Sequence, residues 1–409
     1  MNSKYKFPCG VLFSLALSLL VGCGGGGGGG AGGTPTTPVA EPLKGFQTNT
    51  QTVISLTSSL QFNSLSGDPV VYNNQLLLPD YQWGKIFVLN GVPTSNTLAD
   101  FSSSPALTYS TLPGSIVFYG NTMVMTDMDP TTPGHILIWR NISSAASNLS
   151  TLAAPDDVIG SNGCSQSNLN APQSISVVNG NLVVADTNNH RVMVYKGIPV
   201  TGDKAVLVLG QSDLAGAKYD GCQENNLDSN VIAHYESGLS FPADIAYDGT
   251  NLIVADSGNN RVLMWNWSDI SAAINQQSTS QNTPFSGALT PNKVLGRTDL
   301  TNSPSNTSTI SLNNPQALSV IQSNVLGAVR LAVADTGSNR VLIWDAVPTC
   351  TPINPASACE AISAPNKDPI PLPVVGNVQG LHFTGINQLV MAIDNAINSH
   401  YVIVNATKP

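Results

Sequence analysis

The sequence predicts an all-β chain built from short antiparallel sheets repeated in series, and three observations carry that expectation. Val183–Val192, Ile253–Val262 and Ala332–Val341 are close copies of one another: an apolar run ending in Asp, a tight polar turn, an Arg five residues after the Asp, then a second apolar run ending in Tyr195, Trp265 or Trp344. Upstream of the first two copies stand further apolar runs, Ser174–Val178 and Asp244–Tyr247, each followed by Asn-Gly or Asp-Gly, the dipeptides that supply the positive φ angles of two-residue hairpins. Downstream, short apolar runs close on glycine, as in Val158-Ile159-Gly160, Leu207-Val208-Leu209-Gly210, Val294-Leu295-Gly296 and Val374-Val375-Gly376, which supplies a fourth strand to each unit.

Weaker copies extend the series in both directions. Leu76–Asp80 leads to Lys85–Leu89, with Lys85 at the offset held elsewhere by Arg. Met123–Asp127 leads through a longer turn to His135–Trp139, and Leu389–Asp394 leads to His400–Val404. Six copies in series indicate a repeat architecture whose units each bury their faces against the next. The motif resembles the NHL repeat, and the resemblance implies an NHL/TolB-like six-bladed β-propeller of four-stranded antiparallel blades. The last unit stops at its third strand, which would leave an open sheet edge. Thr52–Leu56 precedes the first unit without one of its own, so this N-terminal strand is expected to complete the last blade and close the ring, making one domain of residues 51–407. The stretches Asp269 to Leu289 and Pro348 to Pro369 exceed a compact repeat and read as inserted loops, where specificity commonly lies.

The chain begins with Lys4 and Lys6 before an apolar run, Val11–Val21, that is too short to span a bilayer. This pattern reads as a signal peptide, residues 1–22. Leu20-Val21-Gly22-Cys23 resembles the bacterial lipobox, which implies cleavage before Cys23 and transfer to its sulfur of a diacylglyceryl group carrying palmitate-type chains. Several acyl chains hold a protein on a membrane where one does not. Gly24 rather than Asp follows the cysteine, which in lipoproteins of this type favours the outer membrane over the inner, periplasmic or surface-facing. Residues 23–50, rich in Gly, Thr and Pro, read as a flexible tether, since Gly24 to Pro38 offers no large apolar side chains to bury.

Net charge is −9 with only 10% charged residues, which argues against nucleic acid, whose phosphates require a basic footprint. In an oxidising compartment Cys164, Cys222, Cys350 and Cys359 are candidates for disulfides, with three pairings open. Repeat phase favours Cys164 with Cys222 and Cys350 with Cys359. The CxxC spacing of a zinc site is absent.

The Asp and Arg of each unit (Asp80 with Lys85, Asp127, Asp186 with Arg191, Asp256 with Arg261, Asp335 with Arg340, Asp394) recur around the series, so they read as architecture rather than as a catalytic group: the carboxylate accepts turn N–H groups and the Arg pairs with it or with a neighbouring blade. Trp139, Trp265 and Trp344 close equivalent strands and are expected to pack between blades. Where the inner strands open, one column of equivalent positions reads Asp68, Ser115, Ser174, Asp244, Ala317, Gly380, and the column before it supplies Gln173, Gln316 and Gln379. Asp68 and Asp244 would face one another across a six-bladed ring and, with the amide oxygens, offer a hard cation such as calcium an oxygen-rich site; the alternative is ordinary solvated strand ends. His135, His190, His234, His382 and His400 are dispersed and form no metal set. No catalytic constellation stands out. The sequence therefore points to a membrane-anchored, non-catalytic module binding a protein, peptidoglycan or saccharide partner; a calcium-dependent hydrolase or lyase at the channel mouth is the second possibility.

Overall fold

The computed structural model describes residues 45–56, 65, 67–81, 83–95, 97–99, 112–129, 135–142, 154–161, 165–211, 238–276, 289–296, 311–322, 329–348, 359–360, 370–371, 377–385, 387–394 and 399–407. The leader, Cys23, the tether through residue 44, Cys164, Cys222, Cys350, His234 and the Val374–Gly376 strand lie outside the described residues. Cys359 is described only as part of a two-residue strand, so neither disulfide pairing can be drawn from the fold. Among the described residues no helix is long and apolar enough to cross a membrane.

The described chain is all-β apart from one α-helix and short 3-10 turns. Strand β1 (Gly45–Leu56) comes first but belongs to the last sheet. The first sheet is β2 (Val70–Tyr72), β3 (Gln75–Asp80) and β4 (Lys85–Asn90); β5 (Thr97–Ala99) follows it. The second is β6 (Pro113–Tyr119), β7 (Thr122–Asp127), β8 (His135–Trp139) and β9 (Asp157–Ile159). The third is β10 (Pro172–Val178), β11 (Asn181–Asp186), β12 (Arg191–Tyr195) and β13 (Leu207–Leu209). The fourth is β14 (Pro242–Tyr247), β15 (Asn251–Asp256), β16 (Arg261–Asn266) and β17 (Lys293–Leu295), with helix α1 (Trp267–Gln276) after its third strand. The fifth is β18 (Pro315–Gln322), β19 (Val329–Asp335) and β20 (Arg340–Trp344); the short strand β21 (Cys359–Glu360) adds in parallel to β17, and β22 (Ile370–Pro371) pairs with β20. The last is β23 (Asn377–Gly385), β24 (Gln388–Asp394) and β25 (His400–Thr407).

Period-two alternation explains how these sheets stack. In β15, Leu252 and Val254 pack with residues of the third sheet, whereas Ile253 and Ala255 pack with Leu318, Leu331 and Val333 of the fifth. Both faces are apolar because both are covered. The first sheet does the same: Leu77 and Ile86 meet Phe118 and Met125 of the second sheet, while Leu76, Leu78 and Phe87 meet Val390, Tyr401 and Ile403 of the last. Trp139, Trp265 and Trp344 are buried in the apolar layers between sheets, and the Trp265 indole donates to the Leu289 carbonyl at 2.9 Å.

Strand β1 pairs antiparallel with β25, from Gln51↔Val404 to Ile54↔Tyr401, and Ile54 is fully buried with the first and last sheets. Four expectations need amendment. The first sheet has three described strands: β5 lies in parallel on the free edge of β1 instead, covering hydrogen-bonding groups that would otherwise be open. The fourth strand of the fifth sheet is Ile370–Pro371. The insertion after β16 is not all loop, since α1 buries Trp267, Ile270, Ala273 and Ile274 along one helical face. Asn179-Gly180 forms the expected two-residue hairpin with φ of 48° and 83°, but Asp248-Gly249 heads a longer turn: the Asp248 carboxylate accepts the N–H groups of Thr250 and Asn251 at 2.7 and 2.5 Å.

Candidate functional site

The repeat turns set the frame. After β11 the chain makes a 3-10 turn, Thr187–Asn189, and passes through His190 in the left-handed region (φ 53°) before β12. Asp186 Oδ2 accepts from Arg191 Nε at 2.7 Å and from Asn189 Nδ2 at 2.9 Å, while Oδ1 accepts the Asn170 N–H at 2.6 Å. Asp256 repeats this with Arg261 Nε (2.7 Å), Asn259 and the Ser240 N–H, and Asp335 with Arg340 Nε (2.7 Å) and the Asn313 N–H. The guanidinium Nη2 groups donate to carbonyls ahead of the inner strand: Ser165 and Asn168, Gly238, and Ser311. Each of these Asp–Arg contacts thus fastens a turn to its own sheet's lead-in segment. Burial pushes the Asp186 carboxyl above its usual range, with the Arg191 charge and the Asn170 N–H pulling against it.

Contacts between sheets come from residues that sequence reasoning passed over. The residue after each Asp donates its hydroxyl to an inner-strand carbonyl of the next sheet: Thr187 to Pro242 at 2.8 Å, Ser257 to Pro315, and Thr336 to Val378 at 3.0 Å. The left-handed residue accepts a backbone N–H from the next sheet, His190 Nδ1 from Phe241 at 3.1 Å and Asn260 Oδ1 from Asn314 at 2.7 Å. The signal was present as an Asp-Thr or Asp-Ser step followed by His or Asn, but a single chain does not say which way those side chains reach.

The weaker units vary the theme. Asp80 Oδ1 accepts the Trp83 N–H at 3.0 Å with Lys85 opposite in register, and Asp394 accepts the Ser399 hydroxyl at 2.5 Å. Asp127 accepts the N–H groups of Leu112 and Asp129 and lies across the hairpin from His135. Burial raises the Asp127 carboxyl and lowers the His135 imidazole, outweighing their mutual attraction.

Where the inner strands begin, a cavity of about 30 Å³ is lined by Asp68, Asp244, Gln173, Gln316 and Gln379, together with Ser174 and Met128. The cavity brings together Asp68, Asp244, Gln173, Gln316 and Gln379, the five candidate cation ligands, and Ser174 of the same column, whereas Ser115, Ala317 and Gly380 are not part of its lining. It does not leave the two acids solvated: Asp68 is 4% and Asp244 2% exposed. Both are hydrogen-bonded there, largely to groups of neighbouring sheets. Asp244 Oδ1 accepts the Ser174 hydroxyl (2.6 Å) and the Ile245 N–H (2.7 Å), and Oδ2 accepts the Leu318 N–H (2.6 Å). Asp68 accepts the Leu381 N–H at 3.0 Å. Ser115 and Ser174 likewise accept the N–H groups of Ile175 and Ile245, so the column stitches successive inner strands together. Gly380 is required there, because a Cβ would sit 2.4 Å from the Gly67 carbonyl oxygen. Among the described residues no group of three or more His, Cys, Asp or Glu could hold a metal ion, and His382 is buried on the inner strand β23.

Comparison with solved structures returns distant likenesses. A structural genomics protein of unknown function from Bacteroides thetaiotaomicron is 10% identical (TM-score 0.44; 87% of this chain, 75% of that one). A streptogramin B lyase is 12% identical (TM-score 0.38; 85% and 97%), and a chain of a nidogen/laminin complex is 16% identical (TM-score 0.41; 78% and 82%). At these scores none of them bears on ligand or chemistry. No curated protein sequence matches the chain. Residues 169–195, which span β10 to β12 and the Asp186–Arg191 turn, match the NHL repeat.

Proposed function

We propose that the chain is an exported lipoprotein, acylated at Cys23, whose six sheets are the blades of a closed NHL-type propeller acting as a binding or scaffold module rather than an enzyme. Six sheets in chain order, packing of the last on the first, and β1 as the fourth strand of the last sheet support the ring. One observation carries the functional reading: among the described residues, Asp186–Arg191 and Asp256–Arg261 are tied into buried pairs, and the cavity that gathers Asp68 and Asp244 has room for an ion or about two waters but not for a substrate. The partner is a protein, peptidoglycan or saccharide of the cell envelope. In-cell crosslinking of the anchored chain should capture it, and a Cys23→Ala variant should stay unprocessed or lose lipid labelling. Hydrolase or lyase turnover by the purified protein that disappears in Asp68→Asn or Asp244→Asn would refute the binding role.

A second reading is favoured by the same cavity: two carboxylates and three side-chain amides offer calcium the oxygen donors it prefers. Its test is thermal melting with added calcium and then with chelator. A bound ion raises the midpoint by mass action, and an unchanged midpoint removes this reading.

A further inference from the structure

Six methionines lie among the described residues, and five of them, Met123, Met125, Met193, Met264 and Met391, are fully buried. Met128 is half-buried, and it forms part of the wall of the cavity that holds Asp68 and Asp244. Its place there is built by the fold. Five sheets give the wall the residue just before the Asp68–Ser174–Asp244 column: Gly67, Gln173, Ala243, Gln316 and Gln379. The second sheet's residue at that position is Gly114, which is not in the wall; Met128 is there instead. A Cβ on Gly114 would lie 2.8 Å from Met128 Sδ and 3.0 Å from its Cγ, so the thioether takes the space in which a side chain at this position would begin. The absence of a side chain at Gly114 lets Met128 reach the wall from the turn after β7, where its N–H donates to the Leu112 carbonyl at 2.9 Å.

Met128 also breaks a pattern of the turns. It follows Asp127 directly, the place where Thr187, Ser257 and Thr336 donate hydroxyls to the next sheet. A thioether has no proton to donate. What it has is a sulfur lone pair, and methionine oxidation turns a flexible apolar side chain into a polar one. Inside a packed core that product is disruptive, because the new oxygen is buried without a partner. At Met128 the surroundings differ: the cavity of about 30 Å³ has room for an added oxygen, and its wall carries three side-chain amides, a group whose N–H donates to oxygen.

We propose that Met128 is a reversible oxidation site, converted to the sulfoxide by hydroperoxides while the fold stays intact. The sulfur lone pair attacks one peroxide oxygen, and the O–O bond breaks as the S–O bond forms. Sulfur gives up two electrons to the peroxide. With hydrogen peroxide, the proton of the transferred oxygen passes to the departing hydroxide, which leaves as water. The cavity wall then changes at the second sheet from a thioether to a hydrogen-bond acceptor.

The test is timed exposure of the detergent-solubilised full chain to hydrogen peroxide, with peptide mass spectrometry reading each methionine, in native buffer and in denaturing urea. In native buffer Met128 should gain oxygen at least tenfold faster than each of the five buried methionines, and in urea the six rates should converge. Protein fully converted at Met128 should keep a cooperative melting transition, and methionine sulfoxide reductase with a thiol should remove the added oxygen. Met128→Leu, a volume-conserving change, should melt as the parent does and leave the five buried methionines slow. Equal rates in native buffer, conversion of Met128 only together with loss of the melting transition, or a sulfoxide that the reductase leaves in place overturns the proposal.

Discussion

The Asp186–Arg191 and Asp256–Arg261 pairs are ion pairs without solvent, while Arg340 beside Asp335 is partly exposed, and the value of the two buried pairs lies in how completely they are bonded. Taking one charge from a buried pair strands the other, which costs about 3–5 kcal/mol. Arg261→Met should therefore destabilise by that amount in urea titration, and Asp256→Asn added to it should recover part of the loss, because the stranded charge goes with it. His190 allows a finer comparison. Asn260 does the same work one sheet later, so His190→Asn should stay within about 0.5 kcal/mol, whereas His190→Ala orphans the Phe241 N–H and should cost about 1–3 kcal/mol. The half-buried His135 gives a pH signature. Burial lowers its folded-state value, with Asp127 pulling the other way, so the unfolded chain takes up the proton more readily. The stability linked to it is present above about pH 6.5, the unfolded value, and is lost as the pH falls through the lower folded value. Denaturation midpoints at pH 8, 6.5 and 5 should show His135→Gln losing less on the acid side than the parent.

At the level of strands and turns, legibility followed local chemistry. Asn179-Gly180 was readable because both residues must take positive φ, and the Asp186, Asp256 and Asp335 turns because three copies confirm each other. The equivalence of Asp68, Gln173, Asp244, Gln316 and Gln379 was readable as well, since a fixed repeat with period two assigns faces. What was not readable is where an edge goes once more than one is free: β5 left its own sheet for β1, and nothing in Thr97–Ala99 names its partner. Helix α1 had a signal, Trp267, Ile270 and Ile274 at helical spacing, hidden by treating everything beyond the repeat as loop. The acids' burial depended on N–H groups of other sheets, which no local pattern shows. Strand β1 yields a direct test. Ile54 is the described side chain through which it joins the first and last sheets, so Ile54→Ala should cost about 2–5 kcal/mol, and removal of residues 45–56 should expose the β25 edge and promote self-association, read by gel filtration.

The proposed closed ring makes a claim about the whole molecule that an open stack does not. In an open array of repeats, stability is a sum of units and nearest-neighbour interfaces, so end units fray first. Here the third to the last sheets are linked by hydroxyls donated from one to the next, and the seam between last and first has its own bond, Tyr401 Oη to the Pro79 carbonyl at 2.6 Å. Burial, with the negative charges of Asp80 and Asp68 beside it, raises the Tyr401 phenol well above its usual value, so it stays a donor. In a closed ring the first and last sheets open only with the rest, and native-state hydrogen exchange should protect the amides of β3 and β24 as strongly as those of β11 in the middle. Tyr401→Phe deletes the seam's hydrogen bond and leaves the Pro79 carbonyl buried, a loss of about 1–3 kcal/mol. Its signature is selective: faster exchange confined first to the first and last sheets, with β11 following only at the global limit. Early exchange of β3 and β24 in the unmodified protein would mean that the seam is open and the six sheets form a stack rather than a ring.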